Sequence, residues 1–227
     1  LQVLRRFHNL TAKTFVPTHT VEHELAVAGF HNLAVVGRGV DTERFRPERR
    51  SAALRAAWGA VEGAPVLISV GRVAPEKNIA LALSAFEALR RRQPEARMVV
   101  VGDGPLRRRL EAAHPAVRFI GVQRGDALAA CYASADIFVF PSLSETFGNV
   151  TLEALASGLP VVAYDTAAAA EHVAHGASGL LVSPGDERGF EATVTALAMQ
   201  PQRLPAMREQ AVEAARKIGW GDVLARF

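Results

Sequence analysis

IFVFPSLSETFGNVTLEALASGLPVVAY, running from Ile137 to Tyr164, carries a strand, a loop, a helix and a second strand in one piece. Ile137–Phe140 is a short all-apolar run, and Pro160–Ala163 is another. Between them, Val150–Ala156 places apolar residues at helical spacing. Strands that are apolar throughout, rather than alternating, belong to parallel sheets covered on both faces.

The same unit recurs on either side. Val66–Val70, Met98–Val101 and Val117–Ile120 precede it, and Gly179–Val182 follows. Helical patterns over Ile79–Arg92, Leu106–Ala113, Ala127–Ala133 and Ala168–Ala174 fill the gaps. Six strands alternating with helices predict an α/β fold, a Rossmann-like doubly wound parallel sheet. Ligands of such sheets sit beyond the carboxyl ends of the strands. Those ends here are Gly, Pro or polar loops, among them Gly71-Arg72, Gly102-Asp103, Gly121 and Pro141-Ser142. The site is expected there.

The first stretch reads differently. Thr14–Pro17 and Leu33–Val36 are strands around a helix over Thr20–Ala28, the remnant βαβ unit of a preceding domain. Gly37–Asp41 then opens a polar linker that runs through Pro47. The expected division is 1–39 for remnant and linker, 40–210 for the ligand-binding domain, and 211–227 for a helical end. Phe190–Ala198 and Met207–Lys217 read as helices, followed by a short piece from Trp220. The chain opens on Leu1, so an internal piece of a longer protein is the expectation.

With 49% hydrophobic and 22% charged residues in 227, the composition is that of a soluble globular chain, and no apolar run approaches a membrane span. The single cysteine, Cys131, excludes an internal disulfide and fits a reducing compartment. The net charge of +3 owes much to two arginine triplets, Arg90–Arg92 and Arg107–Arg109. Neither has interleaved aromatics or a recognition motif, so solvated helix surface is preferred to nucleic-acid binding. His19/His23 and His172/His175 each lack a third ligand, so no metal site is expected.

Two constellations carry chemistry. After the first strand of the six, Gly71 allows a sharp turn, and Arg72 and Lys77 follow within one loop. A guanidinium and an ammonium so placed suit a diphosphate. Two ordinary surface cations are the bland alternative, and the loop alone does not choose between them. The second constellation is the opening stretch. Gly148 permits close backbone approach, and the helix beginning near Asn149 turns free N–H groups outward, an anion site in waiting. Glu145 lies in the loop and Glu153 in the helix, with seven residues between them. One carboxylate can hold sugar hydroxyls and the other a ribose.

Taken together, Gly71-Arg72…Glu76-Lys77-Asn78, Gly102-Asp103-Gly104-Pro105 and Glu145…Glu153…Ser157-Gly158-Leu159-Pro160 resemble the GT-B, family-4 (group 1) retaining glycosyltransferases in order and spacing. The likeness is greatest to the bacterial GDP-mannose-dependent α-mannosyltransferase and sulfoquinovosyltransferase-like branch. It implies a donor-binding half that holds a nucleoside diphosphate sugar, GDP-mannose favoured and a UDP-sugar next. Arg72 and Lys77 would take the pyrophosphate and stabilise the leaving diphosphate; Glu145 would hold the transferred hexose. Gly71, the N–H groups of Phe147, Gly148, Asn149 and Val150, and the ribose contact of Glu153 complete the donor site. Gly121, Val122 and Arg124 would meet the base.

The resemblance further implies no metal or other cofactor, and a lipid or glycan acceptor held by the absent domain. Its place would be the cytoplasm, with room for contact at the inner membrane face. Where the family often has Gly-Gly, this chain has Ala167–Ala170, which puts donor contacts there in doubt. A GT-B nucleotide-sugar epimerase and a non-catalytic nucleotide-sugar-binding module are the alternatives. An NAD-dependent oxidoreductase ranks last, for no Gly-x-Gly-x-x-Gly follows the first strand.

Overall fold

The computed structural model describes residues 2–144 and 148–224. Helix α1 (Gln2–Asn9) leads into strand β1 (Thr14–Val16), helix α2 (His19–Val27) and strand β2 (Leu33–Val35). β1 and β2 pair in parallel, Phe15 opposite Ala34, giving the expected βαβ unit. Val16 and Phe30 form its small buried centre, while Val3, Leu4, Phe7 and Leu10 of α1 stand exposed. Neither α1 nor helix α3 (Ala52–Ala57) is anticipated by the sequence pattern; α3 is six residues long, started by Ser51, whose Oγ accepts the N–H of Leu54.

The rest of the chain is one α/β domain. Its strands are β3 (Val66–Val70), β4 (Arg97–Val101), β5 (Val117–Phe119), β6 (Ile137–Phe140), β7 (Val161–Tyr164) and β8 (Gly179–Val182). They lie in the order β5-β4-β3-β6-β7-β8, and every pairing is parallel. This is the doubly wound order, in which successive connections run outward in opposite directions from β3 and β6. A crevice must open where the winding reverses, beyond the carboxyl ends of those two strands.

Alternate residues of each strand feed opposite faces. Leu67, Met98, Val100, Ile137 and Val162 meet helices α4 (Ile79–Arg90) and α9 (Glu187–Ala198) through Leu83, Phe86, Phe190 and Val194. Val66, Ile68, Val99, Phe138 and Val161 meet α6 (Gly125–Ser134), α7 (Asn149–Ala156) and α10 (Leu204–Arg216). Helices α5 (Arg107–Ala113) and α8 (Ala167–His172) complete the crossovers, and α11 (Trp220–Leu224) ends the described chain. Cys131 is buried in the second core, where burial pushes its thiol up to about 11.

Residues 37–46 contain no helix or strand, and two of their apolar side chains are anchored in the domain that follows. Val40 and Phe45 are buried in the second core with Trp58 and Tyr132. Val40 also forms a parallel bridge with Gly219, its N–H donating to the carbonyl of Ile218 at 3.1 Å. Trp220 then lies so close over Gly39 that a Cβ there would stand 2.7 Å from it.

At the amino ends of β3 and β6, Asp136 is buried among three guanidinium groups. Its Oδ1 accepts from Arg50 at 2.8 Å and Arg208 at 2.9 Å; its Oδ2 accepts from Arg55 and from the Val66 N–H, both at 2.9 Å. The same arginines donate to the carbonyls of Ala133, Ser134 and Ala135 around the end of α6, where the helix dipole is negative. Burial alone would raise the Asp136 carboxyl, but its hydrogen bond from Arg50 and the charges of Arg55 and Arg50 hold it below the usual range.

Candidate functional site

The loops after β3, β4 and β6 come together at the reversal of winding. Gly71 and Gly102 both have φ in the left-handed half, at +148° and +137°. A Cβ on Gly102 would lie 1.9 Å from the Gly71 carbonyl oxygen, so the two turns are pressed backbone to backbone. The Val73 N–H donates to the Asp103 carbonyl at 2.9 Å, and the Leu106 N–H to the Val73 carbonyl at 3.1 Å. That close approach is the physical reason for the Gly-Asp-Gly-Pro turn.

The loop after β3 then supplies the two cations. Arg72 is 67% exposed and, among the described residues, makes a long pair, 3.5 Å, with Glu76. Lys77 Nζ donates to the Ser144 carbonyl at 2.9 Å and lies 5.5 Å from the Phe140 ring centre. Lys77 thus ties the β3 loop to the loop after β6, and the Leu143 N–H does the same by donating to the Glu76 carbonyl at 2.9 Å. Arg72 and Lys77 both lie on the loop that follows β3.

Beyond β6, Glu145, Thr146 and Phe147 lie outside the described residues. Gly148 caps α7 with φ +69° and packs against α8 so closely that a Cβ would stand 2.0 Å from that of Ala168. The first-turn N–H groups of α7, at Asn149 and Val150, have no partner available within the helix. Glu153 sits one turn on, half-buried. It is not simply open to the crevice, since Tyr132 Oη donates to its Oε2 at 3.1 Å. Burial pushes the Glu153 carboxyl up to about 7, with the Tyr132 hydrogen bond opposing. Tyr132 was missed by sequence reasoning; its only signal is an apolar-face position on α6, which does not reveal the hydroxyl's partner.

At the base-side loop, Gly121 turns with φ +72° and its carbonyl accepts the Gly102 N–H at 2.8 Å. Val122 is exposed. In the triplet Arg107–Arg109, Arg108 and Arg109 are exposed, as the sequence suggests, and Arg107 is half-buried. It is 25% exposed, pairs with Asp103 at 3.1 Å and donates to the Phe119 carbonyl at 3.4 Å. The doubted Ala167 takes the left-handed conformation itself, φ +48°, so the turn a glycine would favour is made without one. His172 is half-buried beside Glu171 at 3.9 Å, and burial lowers its pKa. Among the described residues no group of three His, Cys, Asp or Glu side chains is placed to hold a metal. A cavity of about 500 Å³ lies elsewhere, between residues 42–48 and α10.

Glycine-pressed turns, two cations and a glycine-capped helix thus follow the strands at the switch point of a doubly wound sheet, the place where ligands of such sheets sit. The family described as "Glycosyl transferases group 1" matches residues 64–200, more than half of the chain, and the protein belongs to it. Sulfoquinovosyl transferase SQD2 of Arabidopsis thaliana is 36% identical over 228 residues, covering 96% of this chain and 44% of the relative. A GDP-mannose-dependent alpha-mannosyltransferase of Mycolicibacterium smegmatis is 37% identical over 222 residues, covering 98% and 55%. The chain therefore spans about half the length of these curated relatives. Among solved structures, sucrose-phosphate synthase from Thermosynechococcus elongatus superposes with a TM-score of 0.85 at 23% identity, over 99% of this chain and 59% of that one. The fold expected from the sequence and its family resemblance are both borne out.

Proposed function

We propose that this chain is the donor-binding half of a retaining glycosyltransferase that takes a hexosyl unit from a nucleoside diphosphate sugar, mannose from GDP-mannose by preference. The observation that carries the reading is the convergence of Arg72, Lys77 and the Gly148-capped helix on the switch point. In this reading Arg72 and Lys77 hold the diphosphate and stabilise its charge as the glycosidic bond breaks. Gly71 and the N–H groups at Gly148, Asn149 and Val150 face the phosphates, with Glu145 and Phe147 at the sugar. Glu153 takes the ribose hydroxyls, exchanging the Tyr132 hydroxyl for one of the ligand's. Gly121 and Val122 present a flat surface to the base.

The proposed division places residues 1–39 on the acceptor side, 40–210 on the donor, and 211–227 as the helical end. The exposed apolar side chains of α1, and the open edges of β1 and β2, would be covered by the rest of an acceptor domain. That domain would supply a lipid or glycan acceptor site, in the cytoplasm or at the inner membrane face. Metal plays no part in this reading, because the cations of the site are protein groups. Without a complete cleft to orient acceptor and exclude water, the chain binds donor but does not transfer it.

Thermal unfolding with GDP-mannose, UDP-glucose and NAD tests the reading, since a ligand that binds the folded state raises the midpoint. Stabilisation by a nucleotide sugar and not by NAD is expected. Stabilisation by NAD alone, or by none of the three, would overturn it.

A further inference from the structure

Glu171 reaches out of the six-stranded domain to the βαβ unit. Its side chain, in the last turn of α8, is 18% exposed, and its Oε1 accepts the backbone N–H of His19 at 2.6 Å. His19 is the first residue of α2. The cap before it, Thr18, is buried, and its Oγ accepts the N–H of Val21 at 3.2 Å. The amino end of α2 is therefore satisfied twice, once by its own cap and once by a carboxylate 152 residues away. A carboxylate is well suited there, through a charge-assisted hydrogen bond and the positive end of the helix dipole.

The other end of α8 rests on the donor loop. Ala168, in its first turn, occupies the space a Cβ of Gly148 would need. Six residues make a helix less than 10 Å long by its rise of about 1.5 Å per residue. Ala168, Ala169 and, just beyond the helix, Val173 are buried, so α8 is held as one packed piece between its two contacts.

We propose that Glu171 is a positioning residue that couples the loop at Gly148 to the docking of the β1–α2–β2 unit, with α8 as the connecting lever. The identity of the ligand at that loop rests on the reading above; the contact itself does not. Any ligand that shifts Gly148 against Ala168 changes how firmly the amino end of α2 is held, and by linkage the reverse holds too.

Amide hydrogen exchange at His19 reads this directly, in the chain and in three variants. Glu171→Ala is expected to speed exchange at His19 about tenfold, the loss of one charge-assisted hydrogen bond. Glu171→Gln, which keeps an oxygen acceptor, falls between. Gly148→Ala pushes a methyl into Ala168, and should speed His19 exchange severalfold in the parent but not in the Glu171→Ala background. Exchange in β3 stays constant throughout, which separates coupling from global opening. GDP-mannose and UDP-glucose, added as probes, should alter His19 exchange only where Glu171 is present. The coupling is overturned if Glu171→Ala leaves His19 unmoved, if Gly148→Ala acts equally in both backgrounds, or if a bound donor has no effect at His19. A chain that shows the Gly148 and Glu171 dependence yet binds neither donor would overturn the donor reading alone.

Discussion

The two ends of β3 and β6 carry the same kinds of side chain in opposite circumstances. At the amino ends Asp136 is 7% exposed, each of its oxygens takes two donors, and its three arginines are shared with backbone carbonyls. At the carboxyl ends Arg72 is exposed, with a distant acid for company, and Lys77 bonds a loop carbonyl. Removing one member of a buried, mutually satisfied cluster leaves unpaired charge in low dielectric, whereas an exposed pair is worth about 0–1 kcal/mol. The first arrangement fixes the sheet; the second keeps the Arg72 guanidinium at the surface and ties Lys77 to the loop after β6. Position relative to the strands, not residue type, decides which.

The contrast breaks most visibly at Asp136. Asp136→Ala strands three guanidinium groups and should lower the free energy of unfolding by about 3–5 kcal/mol in a urea titration. A loss below about 1 kcal/mol would mean that the arginines re-pair with the α6 carbonyls alone. At the opposite end, Arg72→Ala should weaken nucleoside diphosphate binding by about 1.5–3 kcal/mol in calorimetry, with stability changed by no more than about 0.5 kcal/mol. Equal affinity in mutant and parent would remove Arg72 from the phosphate site.

Glu153 sharpens the comparison through pH. Its folded pKa, about 7, is raised above the unfolded value near 4.5, so its protonated form contributes stability that is complete below pH 4.5 and is lost as pH rises through 7. Glu153→Gln removes this dependence. Discounted for partial exposure, the gain of the variant over the parent at pH 8 relative to pH 4 should be on the order of 1–2 kcal/mol. Parallel pH profiles for the two proteins would place the carboxylate in water instead. The smallest effect belongs to Ala167, whose left-handed backbone suits glycine. Ala167→Gly should raise the unfolding free energy by about 0.5–1 kcal/mol, unlike the loss glycine causes in an ordinary helix. A destabilised variant would show that the turn carries no strain.

The strands were readable because each is apolar along its whole length. β3, β6 and β8 fall where the pattern puts them, and the others within a residue or so. Turn glycines and the two cations were readable too, since loops at strand ends are short and their chemistry is local. What could not be read were partners brought together across the chain. Asp136 stands alone before an apolar strand, and its arginines lie 86, 81 and 72 residues away. Tyr132 and Glu153 are 21 apart on different helices. The burial of Val40 and Phe45 could not be read either, because single apolar residues among polar ones carry no period. α1 failed for a related reason: its apolar side chains share eight residues with Arg5, Arg6 and His8, and Val3, Leu4 and Phe7 stand exposed.

The bridge between Val40 and Gly219 brings the two borders of the six-stranded domain side by side. A segment whose entrance and exit coincide is a cassette: it can be lifted from one polypeptide and set into another by joining at a single place on the surface. Trp220 on Gly39 marks that place. An exchange of specificities between chains built this way would require a match at that seam and at the contact of Glu171 with His19, leaving the strands within the cassette undisturbed.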